Sequence, residues 1–158
     1  MKDAVIDIRN AEFPQDADEV HRLFREYADS LGVDLGFQNF DDEVTSLPGK
    51  YTPPSGRLLL AWKGDDALGC IALRPLQGST CEMKRLYVRP QARGMQLGRM
   101  LARRLCEEAR AAGYTRMCLD TLPTMATAQG LYRSMGFEPI DPYVFNPIEG
   151  TKFLALML

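Results

Sequence analysis

The sequence contains one histidine, four cysteines and no excess of basic residues, and each shortage narrows the possible functions. Its 19 basic and 21 acidic residues give a net charge of −2, whereas nucleic-acid-binding domains are usually strongly basic. No apolar run approaches the roughly 18 residues of a membrane span, and the first residues lack the apolar core of a signal peptide. We therefore expect a soluble, cytoplasmic protein with neither nucleic acid nor membrane among its partners.

The sequence offers few residues in patterns that suit metal binding or catalysis by a thiol. The cysteines, Cys70, Cys81, Cys106 and Cys118, are widely spaced and lie inside or beside apolar stretches, which predicts buried thiols in a reducing compartment. A zinc site needs paired ligand spacing, so we expect no metal. His21 falls in a predicted surface helix, which leaves a nucleophile without a histidine base.

The 158 residues, 46% of them hydrophobic, suit one domain over residues 1–158 with one substantial core. Strand-like patterns recur along the chain between turn signals such as Gly64-Asp65-Asp66 and Pro75 to Ser79. The predicted strands are Val5 to Arg9, Arg57 to Lys63, Ala67 to Arg74, Thr80 to Val88, Met117 to Leu119, Phe137 to Ile140 and Lys152 to Met157.

Segments whose apolar residues recur every three or four positions separate these strands and predict helices. Glycines mark where the helices end. The helical segments are a stripe from Val20 to Leu31, a short helix from Phe40 to Leu47, a stripe from Leu97 to Ala112, and a helix capped by Thr124 that runs through Ser134. A strand, a helix and a strand near 80–120 form a right-handed unit whose strands run parallel. The fold class is therefore α/β (α+β), with a mixed, mostly antiparallel sheet and helices on both faces.

The segment from Leu86 to Met100 has the pattern of an anion site, because an apolar strand ends in an arginine- and glycine-bearing turn that opens a helix. A helix start presents backbone N–H groups without intrahelical partners and carries about half a positive charge. Gly94 and Gly98 have no Cβ, so a diphosphate could approach the backbone closely. A nucleotide-dependent phosphotransferase is disfavoured, since the Gly-x-x-x-x-Gly-Lys-Ser/Thr and Gly-x-Gly-x-x-Gly patterns do not occur.

The chain resembles the GNAT superfamily of acyl-coenzyme A dependent N-acetyltransferases over most of its length. The resemblance rests on Leu86-Tyr87-Val88-Arg89-Pro90, on Arg93-Gly94-Met95-Gln96-Leu97-Gly98-Arg99, and on Ala128 to Phe137, in that order. It implies acetyl-CoA as co-substrate, with the diphosphate on the arginine-glycine turn and the pantetheine arm between two splayed parallel strands. The implied cofactor-binding residues are Leu86, Tyr87, Val88, Arg93, Gly94, Met95, Gln96, Leu97, Gly98, Arg99 and Ala128.

Two residues depart from the family pattern. Gln96 stands where the first glycine of the turn is usual, which either opens the turn slightly or brings its amide to a phosphate. Met125 stands where asparagine is frequent, which removes one polar contact to the pantetheine arm. Both departures keep open an alternative from a different class, a non-catalytic acyl-CoA binding or sensing module.

The resemblance also implies catalytic residues. Tyr132 is expected to protonate the leaving thiolate, because a tyrosine has an ordinary pKa near 10. The alternative is a half-buried aromatic whose hydroxyl finds a backbone partner. Backbone N–H groups of Leu86, Tyr87 and Val88, around a bulge, are expected to polarise the acetyl carbonyl.

Glu82 is the candidate base, since it lies four residues before Leu86 and hence on the same face of a regular strand. Two alternatives remain open: Glu82 pairs with Lys84 or Arg85 on an exposed strand edge, or ordered water is the base. A primary amine attacking acetyl-CoA directly in a ternary complex is the main hypothesis.

The sequence carries little information about the acceptor amine, which we expect to be a small molecule or a peptide. Acidic groups at Asp41 to Glu43 and around Asp16 to Glu19 could favour a cationic amine, although such runs are usually solvated faces. By position, we expect Arg74, Tyr143 and residues 33–55 to shape the acceptor pocket. An edge strand near the carboxyl end makes a homodimer plausible.

Overall fold

One seven-stranded sheet organises the chain, in the order β1-β2-β3-β4-β5-β7-β6. A computed structural model describes residues 5–36 and 39–158. The strands are β1 (Ile6–Asn10), β2 (Arg57–Lys63), β3 (Asp66–Gln77), β4 (Thr80–Val88), β5 (Arg116–Thr121), β6 (Glu138–Pro139) and β7 (Lys152–Met157). The α-helices are α1 (Ala17–Leu31), α2 (Phe40–Thr45), α3 (Leu97–Ala111) and α4 (Ala126–Met135), and short 3-10 turns cover Gly49–Tyr51 and Pro90–Ala92.

The sheet is mixed, as predicted. Strands β1 to β4 form an antiparallel meander, β4 and β5 run parallel with α3 between them in sequence, and β7 pairs antiparallel with both β5 and β6. The parallel pairing covers only Thr80 to Glu82 against Arg116 to Cys118, although both strands continue. The two strands therefore splay apart toward their carboxyl ends, which confirms the expected splayed pair.

Helices cover both faces of the sheet, as predicted. On one face, α3 and α4 pack over a core that includes Leu101, Leu105, Met117, Leu119 and Tyr132. On the other face, α1 and α2 pack over a core that includes Val20, Phe24, Val44, Leu60 and Tyr87. The three- and four-residue spacing of α1 explains its orientation, because it places all its buried apolar side chains on one stripe.

A β-bulge interrupts β4 at Arg85. The extra residue of β4 lies between two cross-strand pairs of β3 and β4, Cys70 with Tyr87 and Ala72 with Lys84. Arg85 has φ +62, a left-handed conformation that costs a residue with a Cβ about 1–2 kcal/mol. Such a bulge bends its strand and increases its twist, which suits a strand that must leave its parallel neighbour.

The bulge reverses which side chains of β4 face which core. Before it, Cys81 and Met83 contact the core under α3 and α4; after it, Leu86 and Val88 do. The expectation that Glu82 and Leu86 share a face is therefore wrong, because the extra residue shifts the two-residue alternation. Glu82 faces the side covered by α1 and α2.

Several element boundaries differ from the sequence prediction. Strand β3 continues to Gln77 through the expected turn at Pro75, which still pairs with Cys81. Helix α2 ends at Thr45 and not at Leu47, since the Thr45 and Ser46 hydroxyls donate to the helix carbonyls of residues 41 and 42. The expectations for residues 1–4, and for residues 37–38 of the 33–55 segment, lie outside the described residues.

Helix α4 begins at Ala126 with Met125 at its N-cap, so the expected Thr124 cap is wrong. The Met125 N–H donates to the Leu122 carbonyl oxygen, as does the Gln129 side chain at 2.7 Å, and these bonds hold the start of the helix one residue later.

The four cysteines are unpaired and buried, as predicted. Within residues 5–36 and 39–158, no three side chains of metal-ligating type converge, and the lack of a metal stays a prediction. None of the helices in this described part of the chain is both long and apolar enough to cross a bilayer.

A substitution at Gly69 of β3 tests how closely β3 and β4 pack. A Cβ at this residue would lie 2.6 Å from the carbonyl oxygen of Tyr87, so we expect Gly69→Ala to lower the free energy of unfolding by about 1–3 kcal/mol. Gly130→Ala is the control, because a Cβ there meets nothing within 4 Å and should stabilise α4 by about 0.5–1 kcal/mol. Urea denaturation measures both, and equal stability of the two variants would contradict the β3–β4 packing.

Candidate active site

A cavity that is partly open to solvent lies where β4 and β5 splay. Residues from both faces of the sheet line it, so the gap joins the α1 and α2 side to the α3 and α4 side. The described residues that line it are Tyr27, Met83, Lys84, Arg85, Leu86, Leu119, Asp120, Met125 and Tyr132.

Tyr132 of α4 is one of these lining residues and is only 4% exposed. Its ring packs against Phe137 at a centroid distance of 5.6 Å. Its hydroxyl makes no hydrogen bond to another residue that the structure describes. The alternative role, a half-buried aromatic whose hydroxyl bonds to the backbone, therefore does not match the structure. Burial raises the pKa of Tyr132, which keeps the hydroxyl protonated at neutral pH.

Glu82 is fully buried and lies outside the cavity lining. Its carboxylate accepts a hydrogen bond from Arg74 Nε at 2.9 Å on one oxygen and from the Tyr143 hydroxyl at 2.7 Å on the other. The alternative of an exposed pair with Lys84 or Arg85 is therefore wrong. Arg74 and Tyr143, which we expect to shape the acceptor pocket, thus both hold the candidate base.

The backbone of β4 past Glu82 has an open edge on the β5 side. Parallel pairing stops at Glu82, and in the described part of the chain no other strand takes its place there. Successive N–H groups of a strand point to opposite edges, so Leu86, Tyr87 and Val88 cannot all donate into the gap. Leu86 is the one of the three that lines the cavity.

The start of α3 has the features of an anion site. Gln96 is its N-cap in a left-handed conformation, φ +57, and the first N–H that donates into the helix is that of Met100, to the Gln96 carbonyl oxygen. The N–H groups of Leu97, Gly98 and Arg99 thus have no acceptor inside the helix. The Leu97 side chain is buried in the core, so Leu97 would contact a phosphate through its backbone N–H.

The turn before α3 is exposed and its conformation requires a glycine. Gly94 has φ +91, and a Cβ there would meet nothing within 4 Å. Arg93 lies beside it, with Nε 3.4 Å from the Val88 carbonyl oxygen, while the Met95 and Gln96 side chains are exposed. The residues before the helix are therefore accessible to a large anion.

Gly98 lies where α3 comes close to α4. A Cβ at Gly98 would be 3.7 Å from Leu131 and 3.9 Å from Val88, and the half-buried Ala128 lies one turn before Leu131 on α4. A small residue at this point keeps space between the two helices on the route from the α3 terminus to the splayed strands. The open N–H groups, the exposed turn and this space fit the diphosphate and the arm of coenzyme A.

The end of β4 is anchored to α1 by a network that the sequence reasoning missed. Arg89 donates to the Glu26 carboxylate at 2.8 and 3.0 Å, to Glu19 at 2.9 Å and to the Ala67 carbonyl oxygen at 2.8 Å. The Tyr87 hydroxyl donates to Glu26 at 3.3 Å. Glutamates spaced seven apart on α1 were the available signal, since they fall on one helix face.

Other residues around the cavity were also missed. Arg85 donates two hydrogen bonds to Glu43 of α2, at 2.8 and 3.0 Å, and Asn146 donates to Asp120 at 3.1 Å. Lys84 is buried, and burial lowers its pKa while the Glu82 and Asp120 carboxylates oppose that shift. Charged residues inside an otherwise apolar strand were the signal for the Lys84-Arg85 pair.

Comparison with known proteins identifies the family. The family model described as Acetyltransferase (GNAT) family matches residues 4–137 of the chain. The chain belongs to the GNAT family. It is 44% identical over 158 residues to an uncharacterized N-acetyltransferase from Schizosaccharomyces pombe, covering 99% of this chain and 97% of that protein.

Solved structures agree on the fold. An acetyltransferase from Streptococcus agalactiae is similar with a TM-score of 0.80 at 22% identity, covering 97% of this chain and 98% of that one. The PaiA N-acetyltransferase from Thermoplasma acidophilum, in complex with coenzyme A, has a TM-score of 0.77 at 16% identity, covering 98% and 99%. The chain is thus a GNAT acyltransferase, a member of a family of enzymes that transfer acetyl groups from acetyl-CoA to amines.

Gly98 provides a test of the anion site. We expect Gly98→Leu to weaken acetyl-CoA binding at least tenfold in calorimetry, because its side chain extends past contact distance toward Leu131 and Val88. Gly98→Ala is the control: its Cβ fits, so we expect it to stabilise the fold by about 0.5–1 kcal/mol and to weaken binding less. Unchanged binding in Gly98→Leu would show that the diphosphate lies elsewhere.

Proposed function

We propose that this GNAT enzyme transfers the acetyl group of acetyl-CoA to a primary amine by direct attack within a ternary complex. The observation that carries the proposal is the early end of the β4–β5 pairing at Glu82, which leaves a cavity lined from both faces of the sheet. A donor entering beside α3 and α4 and an acceptor entering beside α1 and α2 would meet in this gap.

The side of the gap where acetyl-CoA would enter has backbone N–H groups and an arginine that can bind a diphosphate. The open N–H groups at the start of α3, the Arg93 side chain and the accessible backbone at Gly94 would bind it. Acetyl-CoA, when bound, supplies an activated thioester. The Leu86 backbone N–H is the donor that we place at the acetyl carbonyl, and losing such a donor costs on the order of 3 kcal/mol in an enzyme.

The cavity lining favours direct transfer over a covalent acyl-enzyme. Among the described residues that line the cavity there is neither a serine nor a cysteine. The thiols elsewhere are buried and poorly ionised: burial raises the pKa of Cys70 and of Cys81 to about 12.

We assign the acid role to Tyr132. Tyr132 lines the cavity from α4, and burial raises its pKa, so its hydroxyl keeps its proton at neutral pH. A protonated phenol beside the leaving sulfur can donate its proton as the thiolate departs. This placement supports catalysis over a purely binding role.

We assign the base role to Glu82, acting on the acceptor through water or through the Tyr143 hydroxyl. Glu82 faces the α1 and α2 side, where the acceptor would enter, and its contact with Tyr143 reaches toward the β6–β7 connection. Arg74 pairs with this carboxylate at 2.9 Å, and a carboxylate is a group that can accept a proton from an amine.

We also propose a cytoplasmic location and leave a homodimer as a prediction. Four unpaired, buried thiols suit a reducing compartment. The two-residue β6 pairs with only part of β7, which leaves a short edge at that end of the sheet.

Tyr132→Phe tests the acid. We expect kcat to fall about 10²-fold with acetyl-CoA binding unchanged, and the loss to be constant from about pH 6 to 9 because the native hydroxyl stays protonated throughout. Steady-state thiol release and calorimetry provide the two measurements. Tyr114→Phe is the matched control, since this tyrosine donates to Ser55 far from the gap; an equal kcat in both variants would remove the acid assignment.

Glu82→Gln tests the base. We expect kcat near pH 7 to fall about 10²-fold, and the loss to shrink as the pH approaches 10, where an alkyl amine deprotonates without help. Arg74→Met is the control, because it breaks the same ion pair but keeps the carboxylate. If both variants lose the same activity at every pH, the pair is structural and water is the base.

A further inference from the structure

We propose that Glu43 of α2 is a positioning residue for acetyl transfer, because it holds Arg85 in the β4 bulge and so directs the Leu86 N–H toward the acetyl carbonyl. The inference rests on the proposed function, in which this N–H is the donor to the carbonyl. Glu43 is not one of the described residues that line the cavity, so its effect on the reaction passes through the main chain of β4.

A thiol fixes the orientation of the peptide group that carries this N–H. The Arg85 carbonyl oxygen belongs to the same peptide group, and the Cys70 thiol of β3 donates to it at 3.3 Å. Burial raises the pKa of Cys70 to about 12, so the thiol keeps the proton that it donates. In a trans peptide group the N–H points away from the C=O, and β3 and β5 lie on opposite sides of β4. The Leu86 N–H is therefore directed away from β3, toward the gap beside β5.

This orientation depends on the backbone conformation of Arg85. Its φ of +62 lies in the left-handed region, which glycine adopts freely and a residue with a Cβ avoids. If Arg85 returned to an extended conformation, the bulge would be lost and the peptide group that follows it would rotate. The Leu86 N–H would then no longer point into the gap, so the contacts of the Arg85 side chain have to offset the backbone strain.

Glu43 makes the strongest of these contacts that the structure describes. Arg85 Nε and Nη2 donate to the two carboxylate oxygens of Glu43 at 2.8 and 3.0 Å, and a bidentate pair fixes the plane of the guanidinium as well as its position. The Arg85 side chain is only 1% exposed. Removal of the carboxylate would leave its charge buried without this partner, which favours a rearranged strand that brings the guanidinium to water.

Infrared spectroscopy of bound acetyl-CoA, labelled with ¹³C at the acetyl carbonyl, measures the N–H donor directly and needs no acceptor. A hydrogen bond lowers the stretching frequency of a carbonyl, so the native full chain should shift the band below its position in free acetyl-CoA. Glu43→Gln should lose most of this shift. Its affinity for acetyl-CoA in calorimetry should stay within about threefold of the native value, since the diphosphate binds at the start of α3.

Glu108→Gln is the matched control for Glu43→Gln. Glu108 of α3 is also a half-buried glutamate paired with a strand arginine, Arg57, at 2.9 Å, and it lies outside the cavity lining. This variant should keep the native band. If Glu43→Gln also keeps the native band, the inference is overturned.

Two substitutions of Arg85 separate the bulge from the guanidinium. Arg85→Gly and Arg85→Ala both delete the side chain and its contacts, and they differ by one Cβ. Glycine adopts the left-handed conformation without strain, so Arg85→Gly should keep the shifted band, whereas Arg85→Ala should lose most of the shift. The same band position in both variants would overturn the inference, because backbone strain at Arg85 would then have no effect on the donor.

The double variant, Glu43→Gln with Arg85→Gly, tests whether Glu43 acts through Arg85. Its band should match that of Arg85→Gly, because Glu43 then has no arginine to hold. A loss of shift as large as in Glu43→Gln alone would mean that Glu43 acts on the bound molecule directly, and would overturn the inference. If Glu43→Gln does not fold, the two Arg85 variants and the double variant still decide the question, since none of them buries an unpaired Arg85 charge.

The native spectrum separates this inference from the proposed function. A native band that shifts, in a chain that acetylates no amine, would refute the proposed transfer while the effect of Glu43 on the N–H donor stands. A native band that does not shift would remove the Leu86 donor and this inference with it, even if an amine is acetylated.

Discussion

The ion pair between Glu43 of α2 and Arg85 of β4 is the interaction on which the site depends. Arg85 adopts a left-handed conformation that a residue with a Cβ avoids, and the pair stabilises it together with the rings of Phe40 and Tyr27, 5.1 and 5.6 Å from the guanidinium carbon. Breaking such a buried pair leaves an uncompensated charge, which typically costs about 3–5 kcal/mol. The bulge and the charges beside the cavity are therefore fixed by a contact between residues 42 positions apart.

From that bulge follow the two properties that make the gap usable. The bend carries β4 away from β5, so main-chain groups that a regular sheet would pair face a cavity instead. The shift in alternation sends Glu82 to one side and Leu86 to the other. The candidate base, Glu82, and the candidate N–H donor to the acetyl carbonyl, Leu86, thus lie on one strand but face different reactants.

Sequence patterns predicted what local physics determines. The α3 stripe, the glycines after α1 and α4, the parallel pair and the open N–H groups at the start of α3 all follow from periodicity, caps and connection rules. The error at Glu82 has a long-range cause: two-residue alternation assumes an uninterrupted strand, and the reason for the interruption lies in α2. Burial of Glu82 depends on Tyr143, 61 residues away, which no local pattern encodes.

Arg89, the residue after β4, connects three parts of the chain, since it bonds to Glu19 and Glu26 of α1 and to the Ala67 carbonyl oxygen of β3. Helix α1 cannot leave the sheet without releasing the strand exit that leads into the α3 turn. The helix and the turn thus belong to one cooperative unfolding unit, although the end of the helix at Leu31 and the start of α3 at Leu97 are 66 positions apart. Fluctuations that loosen α1 would therefore also loosen the binding turn, and a ligand that orders the turn would protect a helix it never touches.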